Sequence, residues 1–169
     1  YNHPAKGLRW LEGRASPVRM KNGAVQWHGY IHDITDRKEQ ELALEEIRTR
    51  FQLTMEASGT GLWSWNLATN EVIWSSQAYS MLGYEPEAFP VNLEKFQSLM
   101  HPGDVQGMMS DVMSSIEQGD GFNVQFRLRH AEEHWVWIQG RGKVTGRDDT
   151  GKPVFMMGTH ADISEIKQV

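Results

Sequence analysis

The sequence predicts an α+β domain: a five-stranded antiparallel sheet with short helices on one face, preceded by an amphipathic helix. Three observations predict it. Phe122, Val124, Phe126 and Leu128 alternate with Asn123, Gln125, Arg127 and Arg129, the period of a strand with one buried face. The stretch from Arg37 to about Met55 has no Gly or Pro and is rich in Glu, Leu, Arg and Gln, all good helix formers. One block also occurs twice. Residues 10–15 read Trp-Leu-Glu-Gly-Arg-Ala and residues 137–142 read Trp-Ile-Gln-Gly-Arg-Gly, an offset of 127. Asp33, Ile34 and Thr35 then match Asp162, Ile163 and Ser164 at an offset of 129, so the turn between the blocks should differ by about two residues.

Turn signals lie between the matched blocks: Lys21, Asn22 and Gly23 in the first copy, and Asp148 to Gly151 in the second. Each copy reads as strand, turn, strand and polar stop. The first copy opens the chain and the second closes it. Residues 1–35 are therefore the closing strands of one unit, 36–57 a helical linker and 58–169 a complete domain. A two-stranded ribbon alone is marginal, and the sequence does not choose whether residues 1–35 pair with the main domain, pair with another chain or stay loosely ordered.

Asp36 can cap the linker helix, with Glu39 as its reciprocal partner. Leu44, Ile47 and Phe51 make a short apolar stripe at three-then-four spacing, and Thr54 breaks it. The stripe suits either a partner helix or a solvated spacer. Ser58 to Gly61 breaks the helix. Leu62–Leu67 and Glu71–Trp74 read as strands around the turn Ala68 to Asn70. Ser75 or Ser76 can cap a short helix that Gly83 ends. Glu85, Pro86 and Glu87 open another helical turn. Asn92 caps a helix over Leu93–Met100, and Pro102 starts the next, which runs to Gln118. Val105, Met108, Met109, Val112, Met113 and Ile116 fall at helical spacing on it. Strands at Phe122–Arg129, Trp135–Val144 and Pro153–Ile163 finish an α+β layer pair.

Composition narrows the function. Of 169 residues, 39% are hydrophobic, ample for a packed core. The net charge of -5 gives no basic face for nucleic acid. With no cysteine there is no disulfide, thiolate metal site or cysteine nucleophile, which fits a reducing compartment and a cytoplasmic setting. No apolar run approaches the roughly 18 residues of a membrane span, so no membrane contact by this stretch is expected. The chain begins at Tyr1 without a signal peptide and reads as a piece of something longer.

Several segments together resemble the PAS fold, closest to its Trp-rich bacterial subfamily with a C-terminal PAC motif. They are Gly61 to Asn66 (Gly-Leu-Trp-Ser-Trp-Asn), Leu82-Gly83-Tyr84, His101 to Asp104 (His-Pro-Gly-Asp), Trp137 to Arg141 and Asp162 to Ser164. The resemblance covers residues 50–169 as a full domain, and residues 1–35 as the last two strands of a preceding unit. It implies a sensory or dimerising module in series with other PAS domains, upstream of a histidine kinase or a cyclic-di-GMP enzyme, with helical linkers carrying the signal.

In that fold a ligand pocket would lie between sheet and helices. Its candidate lining is Trp65, Trp74, Met81, Leu82, Phe96, Leu99, Met100, Val112, Phe126, Leu128, Trp137 and Met157. Met and aromatic side chains suit an adaptable apolar cavity, and they equally suit a filled core. An unknown small ligand fits the first reading. A covalent flavin of the light-oxygen-voltage type needs a cysteine and is excluded. Haem needs an axial ligand, most often His, and the helix from Pro102 to Gln118 has none; His101 precedes it and is read as packing at its start. The seven histidines look scattered, with His130 and His134 at a solvated turn, so no metal site is expected. Asp33, Thr35, Asp162 and Ser164 sit where strands end and helices begin, and such side chains satisfy orphan amides. The family adds a signalling joint to that role.

The last three strands are apolar on both faces. A large exposed apolar patch is uncommon on a soluble monomer, so a homodimer is expected through the outer face and the linker positions Leu44, Ile47 and Phe51. Catalysis is not expected: Gly59 to Gly61 is too short for a phosphate loop, and Glu132 and Glu133 lie in a polar turn.

Overall fold

The computed structural model describes residues 1–119 and 121–168. It divides into two compact units, Tyr1–Gln52 and Leu53–Val169.

The first unit holds strands β1 (Asn2–His3), β2 (Gly7–Leu8), β3 (Leu11–Arg19) and β4 (Val25–Asp33), followed by helix α1 (Thr35–Ser58), which continues past the unit boundary. β3 and β4 pair antiparallel from Leu11↔Asp33 to Arg19↔Val25 without a shift. Every residue of both strands is exposed. The ribbon is held by its ladder and turn, with no core behind either face.

The second unit contains β5 (Gly61–Asn66), β6 (Glu71–Trp74), α2 (Ser76–Ser80), β7 (Val91–Asn92), α3 (Leu93–Leu99), α4 (Pro102–Gln118), β8 (Phe122–Arg129), β9 (Trp135–Arg147), β10 (Pro153–Asp162) and α5 (Ser164–Lys167). The sheet is antiparallel throughout and has six strands, not five, in the order β7-β6-β5-β10-β9-β8. The extra strand is β7, which pairs Val91 with Val72 and Asn92 with Glu71 at the edge. Two residues are too few to show an alternating pattern, so β7 leaves no periodic signal.

Strand parity decides which side chains enter the core. On β5 Trp63 and Trp65 turn inward, on β8 Val124, Phe126 and Leu128, on β9 Val136 and Ile138, and on β10 Met156 and His160. Phe126, Leu82, Leu128, Ile138 and Met156 are fully buried. Each such side chain contributes about 1.5–3 kcal/mol by leaving water. Gly142 and Gly158 stand beside Trp63, and a Cβ on either would come within 2.6 Å of its ring. Only glycine leaves room for that indole.

The helix punctuation follows the sequence closely. α4 begins at Pro102 and ends at Gly119, whose φ of 75° is left-handed. His101 Nδ1 accepts the Gly103 N–H, and Asn92 Oδ1 accepts the Lys95 N–H. Three local expectations are corrected. Asp36 lies inside α1; Asp33 instead accepts from the N–H and Oγ1–H of Thr35. The Ser75 hydroxyl caps nothing and accepts from the Leu62 N–H. Residues 85–87 form turns rather than a helix.

The two repeats are also aligned by the structure. Both hairpins turn alike: Gly23 N–H donates to Met20 O and Gly151 N–H to Asp148 O, with both glycines at φ 82°. The two-residue difference in offset therefore lies outside the turn. Met20 follows Trp10 by ten positions, and Asp148 follows Trp137 by eleven. Each strand of the second hairpin gains one residue, and its ladder shifts register around Phe155.

Candidate functional site

Between the sheet and α3 and α4 lies a cavity of about 40 Å³, lined by Trp63, Trp65, Val72, Trp74, Leu93, Phe96, Met108, Met109, Val112, Phe122, Phe126 and His160. A single water needs about 10–15 Å³, while a drug-sized ligand needs roughly 300–1,000 Å³. The space suits a few atoms. Its wall is aromatic: Phe96 stacks on His160 at 5.8 Å between centroids, and Trp63 stacks on Phe122 at 5.7 Å.

Besides the Trp65 indole, whose N–H donates to Asn70 Oδ1 at 3.4 Å, three polar groups belong to the lining residues. The Nε1–H groups of Trp63 and Trp74 are buried without a partner among the described residues. Leaving such a donor unsatisfied costs about 1–3 kcal/mol. The third is His160. Burial alone pushes its imidazole down to about 3 from an ordinary value near 6.5, so it is neutral at physiological pH.

Five of the twelve proposed pocket residues line the cavity: Trp65, Trp74, Phe96, Val112 and Phe126. Leu82, Leu99, Met100 and Leu128 are buried core outside it, and Met81 packs against that core. Trp137 and Met157 are placed on the outer face instead. Their inward neighbours are Val136, Ile138 and Met156, while Met157 is 53% exposed. Both faces of these strands are apolar, so composition could not choose the parity. Trp63 shares parity with Trp65 and lines the cavity beside it, whereas His160 shares parity with Met156, so placing Met157 inward turns His160 outward. Met108 and Met109, part of the helical stripe of α4, also line the cavity.

The second feature is the joint at each strand-to-helix junction, which the structure builds twice with the same bonds. In the second unit, Trp137 N–H donates to Ser164 Oγ at 3.1 Å, Ile163 N–H to Trp137 O at 2.8 Å, and Ser164 N–H to Asp162 Oδ1 at 2.9 Å. In the first, Trp10 N–H donates to Thr35 Oγ1 at 3.0 Å, Ile34 N–H to Trp10 O at 2.9 Å, and Thr35 N–H to Asp33 Oδ1 at 3.0 Å. Even the cations match. Lys167 Nζ sits 4.7 Å from the Trp137 ring centroid and Lys38 Nζ 5.7 Å from that of Trp10. The Thr35 hydroxyl and amide hold the Asp33 carboxyl below its usual range. All four residues expected at these joints are thus in them, and Trp10, Trp137, Lys38 and Lys167 complete the set.

In the second unit the joint is also tied to a cavity-wall helix. Asp104, in the first turn of α4, accepts from Arg127 Nε at 2.9 Å and Nη2 at 2.8 Å, and from its backbone N–H at 3.0 Å. This fork holds the Asp104 carboxyl low and raises the guanidinium further. The Arg127 guanidinium lies 5.0 Å from the Trp137 ring centroid. A continuous set of contacts therefore runs from α4 through Arg127 and Trp137 to Ser164 and Lys167.

On the outer face of the sheet, Ile73, Phe155 and Met157 are exposed, as is Trp135. Leu44, Ile47 and Phe51 of α1 are exposed in the single chain. The histidines are less scattered than expected, because His130 and His134 stack at 4.2 Å between centroids.

A family model described as the PAS fold matches residues 71–160, more than half of the chain. This chain belongs to the PAS-fold family. Its relatives include the sensor protein FixL of Bradyrhizobium diazoefficiens, 32% identical over 119 residues, covering 70% of this chain and 23% of FixL. The probable diguanylate cyclase DgcE of Escherichia coli is 24% identical over 163 residues, covering 95% of this chain and 14% of DgcE. The chain thus spans under a quarter of either relative. Among solved structures, a sensory box histidine kinase/response regulator from Burkholderia thailandensis superposes with a TM-score of 0.61 at 28% identity, covering 70% of this chain and 88% of that one. The N-terminal domain of a diguanylate cyclase with PAS/PAC sensor from Marinobacter aquaeolei gives 0.58 at 26%, covering 64% and 98%. The chain is a PAS module of the signal-transduction sensor type. No helix among the described residues is long and apolar enough to cross a membrane.

Proposed function

We propose that this chain is a sensory and dimerising PAS module of a multidomain bacterial protein, with a histidine kinase or cyclic-di-GMP enzyme as its effector, and that it passes changes in the PAS core to the helix that follows. The recurrence of the joint carries this reading. The same hydroxyl, carboxylate, tryptophan and lysine fasten a strand to the start of a helix at two places 127–129 residues apart. A capping role alone asks only for the Asp and the Thr or Ser. The tryptophan amide and ring add a tie between strand and helix that helix capping does not require.

In this reading residues 1–35 close a preceding PAS unit, and α1 is the helix its joint drives. Gly13 and Gly29 of the first ribbon occupy the positions of Gly140 and Gly158 in the second, which supports a common ancestry of form. Residues 58–169 are the complete sensor and catalyse nothing; the effector lies elsewhere in the parent, on the cytoplasmic side. A second copy covers the apolar outer face and the Leu44, Ile47 and Phe51 stripe. A flavin or haem would not enter 40 Å³, so any ligand is small. The alternative is an interaction or spacer module with a filled core, which the small cavity favours. Native mass spectrometry separates them by a bound small molecule against an empty dimer.

The decisive experiment substitutes Asp162→Ala in the parent protein and follows phosphotransfer or cyclic-di-GMP turnover. The expected result is an output that no longer responds to the signal while the module stays folded. Lowered stability with unchanged output would leave only a helix cap and would contradict the proposal.

A further inference from the structure

The turn between β8 and β9 carries the sequence His130-Ala-Glu-Glu-His134. It is tightly built. His130 N–H donates to His134 O at 2.8 Å, Glu133 N–H to His130 O at 2.9 Å, and Ala131 N–H to Leu82 O at 2.8 Å. Glu132 N–H donates to His130 Nδ1 at 3.1 Å. The His130 ring is held over Gly83, where a Cβ would come within 2.4 Å of its Cε1. The His134 ring lies nearly parallel to it, 4.2 Å away with planes 22° apart. One donor atom from each of His130, Glu132 and His134 falls within 4.8 Å of the others.

We infer that this turn binds one divalent late transition-metal ion through His130, Glu132 and His134. Two neutral imidazoles and a carboxylate make a borderline donor set, which suits zinc, nickel or copper better than magnesium or calcium. Metal–ligand bonds of about 2.1 Å place tetrahedral donors roughly 3.4 Å apart. Glu132 and His134 are exposed, so rotating their side chains closes the remaining gap without moving the backbone. The carboxylate of Glu133 adds negative charge beside them, partly balanced by Arg129 at 3.3 Å. The ion's open positions go to water.

One step precedes coordination. His130 Nδ1 accepts the Glu132 amide, which puts the ring proton on Nε2. The ion takes Nδ1 in place of that amide, or the proton moves to Nδ1 and frees Nε2. Either costs one exposed hydrogen bond. A bound ion would brace the turn against Leu82 and Gly83, and Leu82 is 1% exposed in the core. Its use as an input to the sensor rests on the proposed function; the binding does not.

The test titrates the chelator-stripped, tag-free chain with zinc chloride by calorimetry and by amide NMR. One saturable site is expected, with shifts confined to residues 82–84 and 129–135. His134→Ala and Glu132→Gln should each weaken it by about tenfold or more. His28→Ala with His32→Ala, an exposed pair on β4, serves as the control and should change nothing. No saturable binding, binding that survives the His130→Ala, His134→Ala double variant, or shifts that map to β4 would each overturn the inference. None of these results touches the Asp162 test of signalling.

Discussion

The β3–β4 hairpin and the β9–β10 hairpin share a turn, a ladder and a strand-to-helix joint, yet one is exposed on both faces and the other is built into a core. The joint needs only local residues: a tryptophan, an Asp, a hydroxyl and a lysine within one hairpin and one helical turn. The core needs partners from far along the chain. Ile138 and Met156 are 0% exposed because β5, β8 and the helices surround them, whereas Ile31 is 73% exposed in the ribbon. Local hydrogen bonding can therefore repeat faithfully where hydrophobic burial does not.

The contrast predicts very unequal costs for apolar truncation. Phe126→Ala should cost about 3–5 kcal/mol of unfolding free energy in denaturant, while Ile31→Ala should stay within about 0.5 kcal/mol. Similar costs would mean that the ribbon is packed after all.

A second difference is in the burial of histidine. The first unit's His28 and His32 are exposed, while His160 is enclosed by Trp63, Trp74, Phe96 and Phe126. Folding depresses the imidazole of His160 from near 6.5 to about 3. Between those values the unfolded chain binds a proton that the folded chain does not. Stability from this group is therefore full above pH 6.5 and declines as pH falls toward 3, with a slope approaching ~1.4 kcal/mol per pH unit. Asp104 acts in the same direction at lower pH, because its depressed carboxyl stabilises the fold until acid protonates it. Urea midpoints measured from pH 7 to 4.5 should fall in the native chain and flatten in His160→Leu. An equal slope in both would assign the pH dependence elsewhere.

Much of this was legible in the sequence. The repeat, the period-two run at Phe122–Arg129 and the Pro102-to-Gly119 bounds of α4 specified their elements because each rests on local chemistry. The joint residues were readable for the same reason. The cavity was read less well. Apolar composition allows Trp137 and Met157 inward, but in a strand apolar on both faces parity is set by the tertiary partner, and nothing local distinguishes Met156 from Met157. β7 escaped because its two residues gain strand geometry only from β6. The His130–His134 turn is solvated as its sequence implies, with His134 exposed, but the stacking of its rings is not legible because the turn is fixed partly by Leu82, distant in sequence.

The central claim is that α4 and the outgoing helix α5 are coupled through Arg127 and Trp137. Asp104→Asn weakens the Arg127 fork at its far end and leaves the joint residues untouched. Amide NMR of that variant should show shifts at Trp137, Ile163, Ser164 and Lys167 as well as at residues 101–105 and 127. Shifts that end at Arg127, with the α5 amides unmoved, would contradict the account.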